Sequence, residues 1–224
     1  LEEMNWMDVE SYLEQDDRVM LVTGSCEQHG YLSLLTDIKI PQALADAASQ
    51  KSGVLVAPPL NFGVSPYYLK YPGTISLRQS VFLDVLRDLV ASLYGVGFRR
   101  ILVVNGHGGN EAGSNALVEM MNEFDGLKTA WYSWWDSESV TAVARKHNLR
   151  AYHAGWIEAF PFTMLEEMPE EPKPPVAQKG LLGADGIKAL HGDGVSGGPY
   201  RAAPEVMDEI FAAALQDILF ELEF

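Results

Sequence analysis

The sequence predicts an α/β fold: a single-domain, three-layer α/β sandwich over residues 1–224, with a mostly parallel central sheet and helices on both faces. Three observations carry this expectation. Short runs rich in Val, Ile and Leu alternate along the chain with segments of helical spacing. Within those runs successive residues are apolar, not alternate ones, as in strands covered on both faces. At 224 residues and 47% hydrophobic content, the chain is also large enough to bury such a sheet.

Arg18 to Gly24 reads as the first buried strand, closed by its glycine, with a loop from Ser25 to Asp37 behind it. Pro41 to Lys51 is Ala-rich with helical spacing and stops at Ser52-Gly53, and Val54 to Ala57 makes a second strand that Pro58-Pro59 closes. Residues 60–76, rich in Gly, Pro, Ser and Tyr, read as a surface loop, and Ser80 to Tyr94 as a helix ending at Gly95 and Gly97. Arg100 to Val104 is the clearest buried strand. It runs straight into Asn105-Gly106-His107-Gly108-Gly109-Asn110 and then an amphipathic helix from Ala112 to Phe124. Lys128 to Trp135 reads as a strand, Ser137 to His147 and Gly155 to Met168 as helices, and Glu170 to Pro175 as a connector. Gly192 to Gly198 is a Gly-rich loop, followed by a helix from Pro204 to Leu222 with Ile210, Ala214, Ile218 and Leu222 on one face.

Net charge is −15, with 31 acidic residues against 16 Lys and Arg, which argues against nucleic acid as a partner because phosphate binders cluster basic side chains. The single Cys26 leaves no intrachain disulfide and no thiolate cluster, so a reducing, cytoplasmic setting is expected and any metal must sit on oxygen and nitrogen ligands. Leu1-Glu2-Glu3 is not the basic start of a signal peptide, and no apolar run approaches membrane-spanning length; no membrane partner is expected.

Ligands in parallel sheets bind at the carboxyl ends of the strands. Glu27 and His29 follow the first strand, Asp37 lies ten positions after Glu27, and His107 follows the strand at 100–104, so three loops can bring two carboxylates and two imidazoles together. Carboxylate with imidazole suits zinc, manganese or iron, and one carboxylate such as Asp37 can bridge two ions. Taken singly, a loop carboxylate is more often solvated or capping a helix, and a lone His more often surface or core. Gly106, Gly108 and Gly109 shift the balance, because they leave backbone uncovered beside His107 where substrate or metal can approach. Asn105 and Asn110 can brace the His107 loop, with turn capping the competing role. Tyr67, Tyr68, Trp134, Trp135 and Trp156 offer an aromatic pocket lining, although such residues are more often core.

Gly24-Ser25-Cys26-Glu27-Gln28-His29-Gly30, Pro72-Gly73-Thr74-Ile75-Ser76, Asn105-Gly106-His107-Gly108-Gly109-Asn110 and His153-Ala154-Gly155 resemble, in order and spacing, successive signatures of the creatininase (creatinine amidohydrolase) family. Gly194-Val195-Ser196-Gly197-Gly198-Pro199 resembles its late Gly-rich turn. The resemblance implies a metal-dependent amidohydrolase with two divalent ions per subunit, a small-molecule substrate, and a homo-oligomer built from dimers up to a hexamer. It implies Glu27, His29, Asp37 and His107 as ligands, with Asp37 the bridge. Creatininase itself places a Glu where this chain has Gly109; members with the His-Gly-Gly form point instead to Glu158 as fifth ligand and participant in catalysis. His153 is implied as the proton-handling residue near the leaving nitrogen, and Ser65, Tyr68, Gly108 and Trp156 as substrate-binding residues.

The chain also departs from the family pattern. Gly30 to Asp37 is one residue short and lacks a second His, Tyr68 stands where many members carry His, and Trp156 stands where an acid is frequent. These changes spare the ligands and point away from creatinine, toward another cyclic amide or a formamide. The alternatives are a cyclic ketone such as an inosose, a modified peptide, or a non-catalytic metal-binding homologue.

Overall fold

The computed structural model describes residues 1–224. Strands β1 (Arg18–Thr23), β2 (Leu55–Leu60), β3 (Arg100–Asn105) and β4 (Lys128–Ser133) form one all-parallel sheet in the order β2-β1-β3-β4. The chain steps outward from β1 to β2 and then returns across β1 to lay down β3. That reversal leaves the carboxyl ends of β1 and β3 side by side with Thr23 opposite Asn105, where a parallel sheet opens a crevice.

Seven α-helices accompany the sheet, of which α2, α3 and α4 connect successive strands: α1 (Trp6–Leu13), α2 (Thr36–Ser52), α3 (Gln79–Val96), α4 (Ala112–Glu123), α5 (Glu138–Lys146), α6 (Ala184–His191) and α7 (Pro204–Glu221). Alternate residues of the central strands face opposite layers. Met20, Val22, Leu102 and Val104 pack against Leu44 of α2, Val140 of α5 and Ile210 and Ile218 of α7. Val19, Leu21, Ile101 and Val103 pack against Phe82, Leu86 and Val90 of α3, Leu117 and Met120 of α4, and, at the margin, Tyr12 and Leu13 of α1. Each fully buried aliphatic of this kind contributes about 1.5–3 kcal/mol relative to exposure. No helix is long and apolar enough to cross a membrane.

The structure corrects four local expectations. β2 does not stop at Ala57 but runs through Pro58-Pro59 to Leu60, which is tolerated because it is an edge strand paired only with β1. Gly155 to Met168 is not a helix. A single 3₁₀ turn covers Trp156–Glu158, Pro161 has no N–H to continue it, and the Thr163 hydroxyl donates to the Glu158 carbonyl at 2.6 Å. Two short helices emerge that the apolar periodicity does not show: α1, started by an Asn5–Asp8 capping box, and α6, ended by Gly192. Finally, Asp37 is not in a loop but in the first turn of α2.

That last correction positions the site. Pro41 cannot donate the helical hydrogen bond to the carbonyl four residues back, which belongs to Asp37. The Asp37 carbonyl instead abuts the glycines that end β1 and β3: a Cβ on either Gly24 or Gly106 would overlap it. Gly106→Ala is therefore expected to lower stability by about 1–3 kcal/mol, read as a lower urea midpoint at an unchanged slope. An unchanged midpoint would show that the helix and strand ends are not in tight contact.

Candidate metal centre and active site

Three loops and one helix turn converge at this crevice. The segment after β1 folds back so that the Glu27 N–H donates to Leu34 O at 2.9 Å, and residues 72–76 strap across it. The Ile75 N–H donates to Cys26 O at 2.9 Å and Thr74 Oγ1 accepts from the Gln28 N–H at 3.0 Å. After β3, Asn105 Oδ1 accepts from the His107 N–H and its Nδ2 donates to His107 O, closing the turn that presents the imidazole. Asn110 clasps the neighbouring pieces, donating to Gly24 O and accepting from the Val64 N–H. Both asparagines thus brace the His107 loop. Around it the backbone is crowded, since a Cβ at Gly109 would overlap Val64 O. No carboxylate side chain fits at that position.

Asp37 lies at the centre of what results. Its Oδ1 is 2.9 Å from His29 Nε2 and its Oδ2 is 2.8 Å from His107 Nδ1. Glu158 Oε1 approaches His29 Nε2 to 3.8 Å, and Glu27 Oε2 approaches His107 Nε2 to 3.7 Å. Each imidazole is anchored through its other nitrogen to a carbonyl, which can only accept: His29 Nδ1 donates to Glu27 O at 3.0 Å, and His107 Nε2 to Val64 O at 3.0 Å. When such a ring is neutral, its remaining nitrogen turns a bare lone pair toward Asp37. His29 Nε2 and Asp37 Oδ2 are accordingly buried with no aligned hydrogen-bond partner. Buried polar atoms are rarely left unpartnered, and lone pairs converging on carboxylate oxygens form a donor set that a cation satisfies. Two ligand groupings share Asp37: His29, Asp37 and Glu158, and Glu27, Asp37 and His107. The residues therefore fit a divalent cation, with Asp37 common to both groupings.

Electrostatics agree. Burial opposes charge on His29, but Asp37 followed by Glu158 outweighs it and raises its pKa to about 10. Burial opposes charge on His107 too, but Asp37 followed by Glu27 outweighs it and raises its pKa to about 9. Burial favours a neutral Asp37, yet the two histidines hold its carboxyl well below the usual range. Burial pushes Glu27 up, and pushes Glu158 to about 7. Without a cation the cluster balances its carboxylates with protons on its own imidazoles, which a divalent ion held by these residues would replace.

A cavity of about 420 Å³ opens beside the cluster. Glu27, Asp37, His107, Gly108, Tyr68, His153 and Glu158 line it, as the sequence leads one to expect. Two residues do not. Ser65 is buried behind the cluster, 2.6 Å from Ser25 Oγ and 3.2 Å from His107 Nε2, so it touches a ligand and not the cavity. Trp156 is fully buried in the core with its indole N–H donated to Arg150 O, because the broken helix at 155–168 turns it inward. Of the tryptophan pair, Trp135 lines the cavity while Trp134 is core. Tyr152 is a wall residue that sequence reasoning missed, although its place next to His153 was a signal. His153 stacks on Tyr68 with ring centroids 4.5 Å apart, its Nε2 3.0 Å from Gln28 Nε2 and 3.8 Å from Glu27 Oε1. Burial, with His29 adding, lowers its pKa.

Residues 2–221 match the family model described as creatininase, creatinine amidohydrolase. Among curated proteins, the chain is 31% identical over 107 residues to a 3-dehydro-scyllo-inosose hydrolase of Thermotoga maritima, covering 47% of this chain and 34% of that protein. It is 29% identical over 157 residues to creatinine amidohydrolase of Pseudomonas putida, covering 64% and 60%. With a mycofactocin precursor peptide peptidase of Mycolicibacterium smegmatis the identity is 33% over 120 residues, covering 50% and 48%. The chain thus spans between about a third and three fifths of the length of these relatives. A solved creatinine amidohydrolase superposes with a TM-score of 0.82 at 22% identity, covering 98% of this chain and 95% of that one. Zinc–zinc and manganese forms of creatininase superpose with TM-scores of 0.80 and 0.77, each at 21% identity and the same coverage. The structural likeness establishes the shared fold, and the match from residue 2 to residue 221 establishes that this chain belongs to the creatininase (creatinine amidohydrolase) family.

Proposed function

We propose that this chain, as one domain, is a metal-dependent amidohydrolase that cleaves an amide-like C–N bond of a cyclic amide or formamide other than creatinine. The observation that carries the reading is Asp37, whose two oxygens lie 2.9 and 2.8 Å from histidine nitrogens, with Oδ2 and His29 Nε2 buried and without hydrogen-bond partners, beside a cavity. Zinc, manganese or iron suits this nitrogen and oxygen donor set. Glu27, His29, Asp37, His107 and Glu158 would hold the ions, since their ligand atoms gather into two groups that share Asp37. When bound, such ions supply Lewis acidity and an acidified water.

The chain's own side chains do the rest. Glu158 keeps Oε1 toward His29 while Oε2 accepts from the Ala154 N–H at 2.6 Å, which locks the His153 turn to the ligand set. His153, held flat by Tyr68, stands where a leaving nitrogen meets it. Tyr67, Tyr68, Trp135 and Tyr152 wall the cavity, and no Lys or Arg lines it, which favours an uncharged, partly apolar substrate. A small lactam such as creatinine fills only part of about 420 Å³. The resemblance to an inosose hydrolase supports a second reading, hydrolytic opening of a cyclic ketone at the same site.

Metal analysis by plasma mass spectrometry tests the shared bridge. Wild type is expected to hold about two equivalents, Glu158→Gln about one, and Asp37→Asn nearly none, because Asp37 alone serves both groupings. Equal retention by the two variants would sink the bridging role. Because His29 and His107 keep protons up to about 10 and about 9 in the cation-free site, loading zinc near neutral pH should release protons and weaken as pH falls. The same raised values predict that the metal-free protein has the histidines' stabilisation in full below their ordinary pKa of about 6.5 and loses it as pH climbs through about 9 to 10. A flat thermal midpoint from pH 6 to 10 would contradict this. For substrate, a panel of cyclic amides, formamides, inososes and peptides on metal-loaded protein should show turnover of an amide above that of creatinine and of inososes. Creatinine or an inosose as best substrate would overturn the proposed specificity.

A further inference from the structure

We propose that Gln28 sets the tautomer of His153, so that this ring meets the substrate through a protonated Nδ1 while its Nε2 serves as an acceptor. The inference rests on the reading of the cavity as a substrate site, but its test does not.

The orientation of the Gln28 amide is determined at both ends by backbone. Oε1 accepts from the Gly30 N–H at 3.0 Å, and Nε2 donates to Gly194 O at 3.0 Å. Flipping the amide would set oxygen against the Gly194 carbonyl and NH₂ against the Gly30 N–H, so it is excluded by two repulsions at once. The remaining hydrogen on Nε2 is the one within reach of His153 Nε2, at 3.0 Å. An amide NH₂ only donates; His153 Nε2 must therefore accept, and in a neutral ring the proton is then on Nδ1. Nδ1 has no hydrogen-bond partner in the chain, and the ring lines the cavity.

Gly194 makes this possible. Its φ of +96° lies in the left-handed region, and a Cβ there would overlap Gln28 Oε1. The Gly-rich turn after α6 thus has a second role beyond the bend, admitting the glutamine amide between the β1 turn and His153. Two consequences follow. His153 Nε2 lies 3.8 Å from Glu27 Oε1 and groups with Glu27 and His29 at ligand range, yet its lone pair is already engaged, which keeps His153 out of the metal set. And the group it meets on the substrate must be an acceptor, such as a carbonyl oxygen or the lone pair of a nitrogen. Gln28 touches neither substrate nor metal on this account; it is a positioning residue.

The chain has five histidines, so long-range ¹H–¹⁵N correlation spectra of uniformly labelled protein, as purified and after zinc loading, resolve the ring tautomers, and the signal lost in His153→Asn identifies its ring. The expected result is a protonated Nδ1 and bare Nε2 in wild type. Gln28→Glu should place a proton on Nε2, and Gln28→Met, of similar length without an N–H, should give a mixture. Metal content of all variants should match wild type, and kcat on an amide found in the panel should fall on the order of 10–100-fold with KM little changed. A wild-type ring protonated at Nε2, or a tautomer unmoved in both Gln28 variants, would overturn the proposal whether or not an amide substrate is ever found. Absence of bound metal or amide turnover, with the tautomer as expected, would sink the hydrolase reading and leave this one standing.

Discussion

The architecture of the site depends on where the Asp37 carboxylate is held. It sits in the first turn of α2, where the positive end of the helix dipole favours an anion, and its own carbonyl is wedged between the glycines ending β1 and β3. The carboxylate thereby stands 2.9 Å from His29 Nε2 and 2.8 Å from His107 Nδ1. The sheet order supplies the converse constraint, because β1 and β3 are adjacent and the loops after them bring His29 and His107 to opposite oxygens of one carboxylate.

Around that carboxylate the molecule tolerates a dense buried charge. Glu27 and Asp37 are 2–3% exposed, and Glu158 points a third carboxylate at the same point. Such a cluster is costly unless protons or cations compensate it. The two histidines do so in the metal-free protein, each tied by its far nitrogen to a backbone carbonyl, so that ring orientation survives when a cation replaces the proton. The same device recurs at His153 with a side-chain amide in place of a carbonyl, which reverses the outcome: the nitrogen near the ligands is occupied and the other one is open.

The family motifs, scattered over the sequence, are one contiguous brace in space. The Pro72 to Ser76 strap hydrogen-bonds the Glu27 loop, Asn110 clasps Gly24 and Val64, Gln28 reaches Gly194, and Glu158 closes on Ala154. Gly109 illustrates how local packing selects ligands. With Val64 O where its Cβ would stand, an acid cannot occupy that position, and the third carboxylate near His29 is that of Glu158.

The amino-acid order alone determined the layered fold, the two central strands and the candidate ligands Glu27, His29 and His107 just beyond them, because β-branched runs ending in glycine with His or Glu behind them are local patterns. It placed Asp37 in a loop and Trp156 in the pocket, and it read residues 155–168 as a helix. Those errors share a cause: apolar spacing does not reveal which way a side chain turns or where a helix begins, and Trp156 sits in a single 3₁₀ turn that faces the core while Asp37 falls in the first turn of α2. The roles of Ser65 and Gln28 were likewise beyond reach. Each is defined by partners far along the chain, His107 for the first and Gly194 and His153 for the second. Contacts of that range exist only after the sheet has brought its loops to one edge, so tertiary structure alone decided them.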